Sequence, residues 1–137
     1  MTIVIQENID KVLKFFSLES EVIEIPFKNI LYIPKNRKGV YVISEGSTIV
    51  YVGKGKIQKR NISHWEKAYS SINKNPRVPK GWQWLTENYT NLNIHPDRWQ
   101  LTYITLNKET DRTAVEGALI KFLNPIANDE VFSDNNP

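Results

Sequence analysis

Two short runs, Gly39-Val40-Tyr41 and Tyr51-Val52-Gly53, stand nine residues apart, and a basic segment with Lys54, Lys56, Lys59, Arg60 and His64 follows at once. Arg60 and His64 are four residues apart, and Ile57, Ile62, Trp65 and Ala68 around them predict a helix that puts both side chains on one face. Further on, Glu116 interrupts an apolar stripe of Val115, Ala118, Leu119, Phe122 and Leu123, where an unpaired carboxylate is costly to bury. Together these residues suit phosphodiester hydrolysis. That reaction needs an attacking water, an acceptor for its proton, cations against charge growing on the phosphoryl oxygens, and stabilisation of the departing oxyanion. Each residue also has an ordinary structural reading: tyrosines packed in a sheet, a surface arginine, a rim glutamate paired with a lysine.

The elements that must position them follow from pattern. Residues 40–44 and 48–52 are rich in Val, Ile and Tyr, and Glu45-Gly46-Ser47 between them is turn chemistry, so a hairpin is expected with Tyr41 and Tyr51 exposed near one end. Residues 7–17 have helical spacing in Ile9, Val12, Leu13 and Phe16. Residues 21–34, with Pro26 and Pro34, read as a bent lead-in whose Lys28 and Lys35 face outwards. Residues 70–81 read as a loop, 82–89 as a short helix, 98–106 as a third strand, and 112–123 as a helix ended by Pro125. The tail from residue 131 is polar enough to fray. The fold expected is α+β, a small three-stranded antiparallel sheet flanked by helices.

In this order the residues resemble the GIY-YIG nuclease superfamily. Gly39-Val40-Tyr41 and Tyr51-Val52-Gly53 stand for the name motif, Arg60 and His64 lie on the next helix, Glu116 on a later one, and Asn128 closes the pattern. The resemblance spans residues 39–128. Val replaces Ile in both motifs, and a long stretch, 66–98, separates the basic helix from that of Glu116. The resemblance implies Tyr41 as the group that takes or relays the water's proton. Tyrosine ordinarily titrates near 10, so acting as a base at neutral pH would need a depression of about 4 kcal/mol, with Lys54, Lys56, Arg60 and a divalent ion as its sources. It further implies Arg60 on the scissile phosphate, Glu116 as ligand of one Mg²⁺ or Mn²⁺, His64 as a second proton carrier or phosphate donor, and Tyr51 beside the phosphate. Gly39, Gly53 and Asn128 fix backbone near the site. His95 matches no motif.

One domain over residues 1–137 is expected: lead-in 1–37, motif-bearing core 38–128 with insertion 66–98, and tail 129–137. The absence of cysteine excludes disulfides, thiolate metal sites and cysteine nucleophiles. Neither a signal peptide nor a membrane span is legible, and the expected location is cytoplasmic. The net charge of +3 hides an asymmetry: residues 1–27 carry −3, 28–80 carry +10 and 81–137 carry −4. A polyanion is the expected partner, with Lys54, Lys56, Lys59, Lys67, Lys74, Arg77 and Lys80 on its backbone and Trp82 and Trp84 among them. The function expected is a metal-dependent endonuclease cutting double-stranded DNA in a restriction or phage context, with a homodimer needed for a symmetric double-strand cut. The residues leave two alternatives open, a structure-specific repair nuclease and a non-catalytic nucleic-acid-binding module.

Overall fold

Val, Ile and Tyr fill the two hairpin strands with almost no polar position, a composition suited to a sheet covered on both faces. The computed structural model describes residues 2–72 and 96–128 and has that arrangement. Helix α1 (Thr2–Phe15) leads to strand β1 (Ile23–Pro26) and a 3-10 segment (Phe27–Tyr32). Strands β2 (Lys38–Glu45) and β3 (Thr48–Lys56), helix α2 (Ile57–Ile72), a 3-10 turn (Pro96–Arg98), strand β4 (Gln100–Thr105) and helix α3 (Glu109–Leu123) follow. The sheet runs β1-β4-β2-β3, every pairing antiparallel.

The α+β class and the antiparallel sheet between helices are as expected, but the sheet has four strands, not three. Residues 23–26, within the expected lead-in, pair with β4 from Ile23 opposite Tyr103 to Pro26 opposite Gln100. Pro26 is tolerated because β1 is an edge strand, where a missing N–H costs no ladder bond. Four residues ending in proline carry too little alternation to be recognised as a strand from pattern alone. The expected short helix at 82–89 and the loop of 70–81 beyond Ile72 lie outside the described residues.

Alternation along the strands creates two cores. Tyr41, Ile43, Tyr51, Leu101 and Tyr103 face α2 and the 3-10 segment, where Phe27 stacks on Trp65 at 5.5 Å and meets Trp99 edge-on at 5.3 Å. Val40, Val42, Val52 and Ile104 face the other way, onto Ile5, Ile9 and Val12 of α1 and Val115 and Leu119 of α3. The period-4 spacing on both helices lays one apolar stripe against the sheet, each fully buried side chain contributing about 2 kcal/mol of transfer free energy.

Gly46 makes the hairpin turn. It is the first of two loop residues, with φ at +59°, and Ser47 is not in the positive-φ region, the II′ pattern that matches strand twist. Beyond the turn the register slips: Ser44 opposes Ile49 while Ile43 opposes Tyr51, so Val50 is bulged. The bulge puts Val50 and Tyr51 together in the α2-side core and carries Tyr51 onto the same face as Tyr41.

Candidate active site

Tyr41 of β2 lies directly opposite Gly53 of β3, and that pairing explains the glycine. A Cβ at Gly53 would overlap the Tyr41 hydroxyl and come within 2.8 Å of Tyr51 Cε2, so the two phenols fit only because position 53 has no side chain. Their ring centroids are 6.2 Å apart. Gly39 serves the neighbouring strand pair, since a Cβ there would overlap the Ile104 carbonyl.

The two tyrosines are buried, not exposed as expected, with 0% and 1% of their surface accessible. The physical reason is that α2 lies over their face. From α2, His64 closes on both phenols: its Nε2 is 2.8 Å from the Tyr41 hydroxyl, and its ring is 4.7 Å from that of Tyr51. Arg60, one turn earlier, pulls on the same Tyr41 hydroxyl by its charge. The Arg60 stem passes over Gly55, whose φ of +123° is left-handed and whose missing Cβ would stand 3.5 Å from Arg60 Cγ. Gly55 is therefore required by its backbone conformation at the end of β3, a requirement that sequence reasoning missed. The available signal was the second glycine of Gly53-Lys54-Gly55, ahead of a basic helix.

The electrostatics overturn one expectation. Tyr41 is not depressed. Burial pushes its hydroxyl above the ordinary tyrosine value, Tyr51 and Glu116 add to that, and Arg60 only partly offsets it. The cations are real but desolvation wins, so the protein by itself holds Tyr41 as a neutral phenol.

Glu116 reaches this group from the opposite layer. It is half-buried on α3, beside the stripe of Val115, Leu119 and Leu123. Burial raises its carboxyl above the usual range, while Lys54 and then Arg60 pull it back. Lys54 is held along α3 by a hydrogen bond from Nζ to Thr113 Oγ1 at 3.1 Å, one turn before Glu116. Thr113 is a second residue the sequence did not single out. The site thus straddles the outer edge of β3, with phenols and imidazole from one core and a carboxylate from the other.

Asn128 secures that edge. Its amide brackets Val52, accepting from the Val52 N–H at 2.8 Å and donating to the Val52 carbonyl at 2.9 Å. Ile126 and Ala127 donate to the carbonyls of Ile49 and Val50. The turn after Pro125 therefore covers this edge and leaves the part beside Gly53 to the site.

Lys56 and Lys59 are exposed at the start of α2. Lys67 lies in α2 with its side chain outside the described residues, as are Lys74, Arg77, Lys80, Trp82 and Trp84 altogether. Two buried polar atoms on α2, Arg60 Nε and Asn61 Oδ1, have no hydrogen-bond partner among the described residues. No cluster of three or more His, Cys, Asp or Glu forms among them either. No described helix is long and apolar enough to cross a membrane.

No protein-family model matches the chain. No curated protein matches it. Two solved structures do, both of the GIY-YIG N-terminal endonuclease domain of UvrC from Thermotoga maritima. One, bound to magnesium as its catalytic divalent cation, is 18% identical with a TM-score of 0.47, over 75% of this chain and 96% of that one. The other, a tyrosine-to-phenylalanine point mutant with its catalytic divalent cation, is 22% identical with a TM-score of 0.47, over 75% and 93%. A likeness of this extent carries nothing about activity.

Proposed function

We propose that this chain is a metal-dependent endonuclease of the GIY-YIG type that hydrolyses DNA phosphodiesters. The observation that carries the reading is the convergence of Tyr41, His64, Arg60 and Glu116, drawn from two strand-helix layers, on one strand edge. Arg60 and Glu116 both act on the Tyr41 hydroxyl, and His64 is hydrogen-bonded to it.

The residues fit a hard divalent cation. Glu116 offers oxygen donors, the cations beside it act through space and not by a hydrogen bond, and desolvation leaves its charge undercompensated. One carboxylate with water and phosphate oxygens in the remaining positions suits Mg²⁺ or Mn²⁺. When bound, the ion supplies Lewis-acid stabilisation of charge on the phosphoryl oxygens.

The chain's own groups do the rest. Arg60 binds the scissile phosphate; its buried Nε has no hydrogen-bond partner among the described residues. Because Tyr41 is neutral, it acts as a relay and not as a phenolate: its oxygen accepts the proton of the attacking water as its own proton passes to His64 Nε2 across the 2.8 Å contact. Gly53 lets the phenol approach the strand, and Asn128 holds the backbone at Val52 beside it.

The test is cleavage of supercoiled plasmid with Mg²⁺, with Mn²⁺ and with EDTA, wild type against Glu116→Gln. Metal-dependent nicking or linearisation that vanishes in the variant is expected. Equal cutting by the variant would sink the ligand role. No cutting of plasmid, linear duplex or branched DNA, with binding retained, would sink the enzyme reading.

A further inference from the structure

The 3-10 segment Phe27–Tyr32 ends in an apolar doublet that the fold holds in solvent. Leu31 is 71% and Tyr32 84% exposed, while Ile30 and Ile33 on either side are buried. The outward turn is built in. Gln58, itself buried at the start of α2, donates from one amide nitrogen to the carbonyls of Leu31 at 3.0 Å and Ile33 at 2.9 Å, so the backbone is pinned on both sides of Tyr32. The Ile33 N–H closes the turn on the Ile30 carbonyl at 3.2 Å.

The surroundings are strongly basic. Lys35, Arg37 and Lys38 continue the same loop, the Arg37 carbonyl accepts the Ile57 N–H at the start of α2, and Lys38 pairs with Lys56. Over residues 28–60 there are eight Lys and Arg against Glu45 alone, and Glu45 is bonded to Arg98 at the turn end of the hairpin. An apolar partner protein would meet this excess of positive charge, whereas a nucleic-acid backbone would neutralise it around a doublet free to enter between bases.

We propose that Leu31 and Tyr32 form a wedge that inserts at a base step of bound duplex DNA. It deepens the nuclease reading and rests on it. Gln58 and Arg60 are two residues apart, about 200° around α2, so the wedge and the phosphate-binding arginine stand on opposite flanks of one helix. The wedge would thus fix which phosphate reaches Arg60, and it would favour pyrimidine–purine steps, which unstack most easily. Pinning by Gln58 lowers the backbone part of the ordering cost of presenting Tyr32.

The test uses the full chain in EDTA, where no cutting occurs, with a duplex of about three helical turns carrying 2-aminopurine at TA and CA steps. Wild type is expected to bind and to raise the fluorescence severalfold. Leu31→Ala/Tyr32→Ala, with an unchanged melting curve expected of exposed positions, is expected to lose that rise and to bind about tenfold more weakly. Tyr32→Phe is expected to keep both. Binding by wild type with no rise at any position, or equal affinity of the double variant, would overturn the wedge and leave the nuclease reading standing. A dimer in sedimentation that the double variant breaks, with DNA binding unchanged, would overturn it in favour of a second copy. Absence of both DNA binding and plasmid cutting would overturn both readings together.

Discussion

Tyr41 is the residue on which the proposed chemistry turns, and its environment decides how it works. A phenol with no accessible surface, beside a second phenol and a carboxylate, is held neutral against the pull of one guanidinium. Tyr41→Phe removes the relay oxygen and keeps the ring over Gly53. Activity should fall about 10²–10⁴-fold while the fold loses only about 1 kcal/mol, read by single-turnover cleavage beside a denaturant curve. Arg60→Ala should abolish cutting with a near-native melting curve, and Arg60→Lys should not restore it, because a point charge lacks the guanidinium fork. Glu116 gives a prediction of opposite sign in stability. Its folded carboxyl is raised, so protonated Glu116 favours the fold and the stabilisation is lost as pH rises through the raised value. Glu116→Gln should therefore raise Tm at pH 7, by about 1–2 °C after solvent screening, and leave it unchanged near pH 4. Cutting by wild type should decline on acidification at a higher pH than an ordinary carboxylate would give. An unchanged Tm at pH 7 would remove the desolvation account.

At the scale of elements, the strand edge is the device that joins two layers into one site. β3 is last in the sheet, so its outer edge would be open but for Ile126, Ala127 and Asn128. Asn128→Ala leaves the Val52 N–H and carbonyl without the amide that brackets them. It should cost about 1–3 kcal/mol and lower activity beyond what the stability loss explains, measured by cleavage well below the variant's Tm. Helix α1 offers a test remote from the site. It ends with Ser17 at φ +57°, with Leu18 N–H bonded to the Leu13 carbonyl at 2.8 Å and Ser17 N–H to the Lys14 carbonyl at 3.1 Å, an end that favours glycine. Ser17→Gly should stabilise by about 0.5–1 kcal/mol with cleavage untouched. Much of this was legible in the sequence. Glu45-Gly46-Ser47 announced the hairpin, the spacing of Arg60 and His64 their common face, and Glu116 its odd place on an apolar stripe. What was not legible depends on layers meeting. The burial of Tyr41 and Tyr51 requires α2 to lie over them, the neutral state of Tyr41 requires desolvation to outweigh Arg60, and β1 is a strand only because β4 offers it an edge. Gly55 was overlooked because its purpose, a backbone φ of +123° at the end of β3, is set only by how the chain turns into the helix.

For the whole molecule, the charge distribution sets how substrate is held. The described part of the basic region, residues 28–60, carries eight Lys and Arg against one Glu, with Lys56 and Lys59 exposed at the start of α2 and Arg37 and Lys38 joined to the same corner by backbone bonds. Lysines that touch phosphates release counterions and carry no sequence information, so their removal acts on the salt dependence of binding and not on the choice of step. Lys56→Gln/Lys59→Gln should reduce the slope of log Kd against log salt by about two relative to wild type, roughly one for each phosphate no longer neutralised. The cleavage position on a given duplex should stay the same, because Arg60 and the Leu31–Tyr32 wedge that would set it remain in place. The measurement is fluorescence anisotropy of a labelled duplex in EDTA across a salt series, beside a sequencing gel of the Mg²⁺ products. An unchanged slope would place the duplex away from the start of α2, and with it away from Arg60. A shifted cleavage position would mean that these lysines, and not the wedge, choose the phosphate.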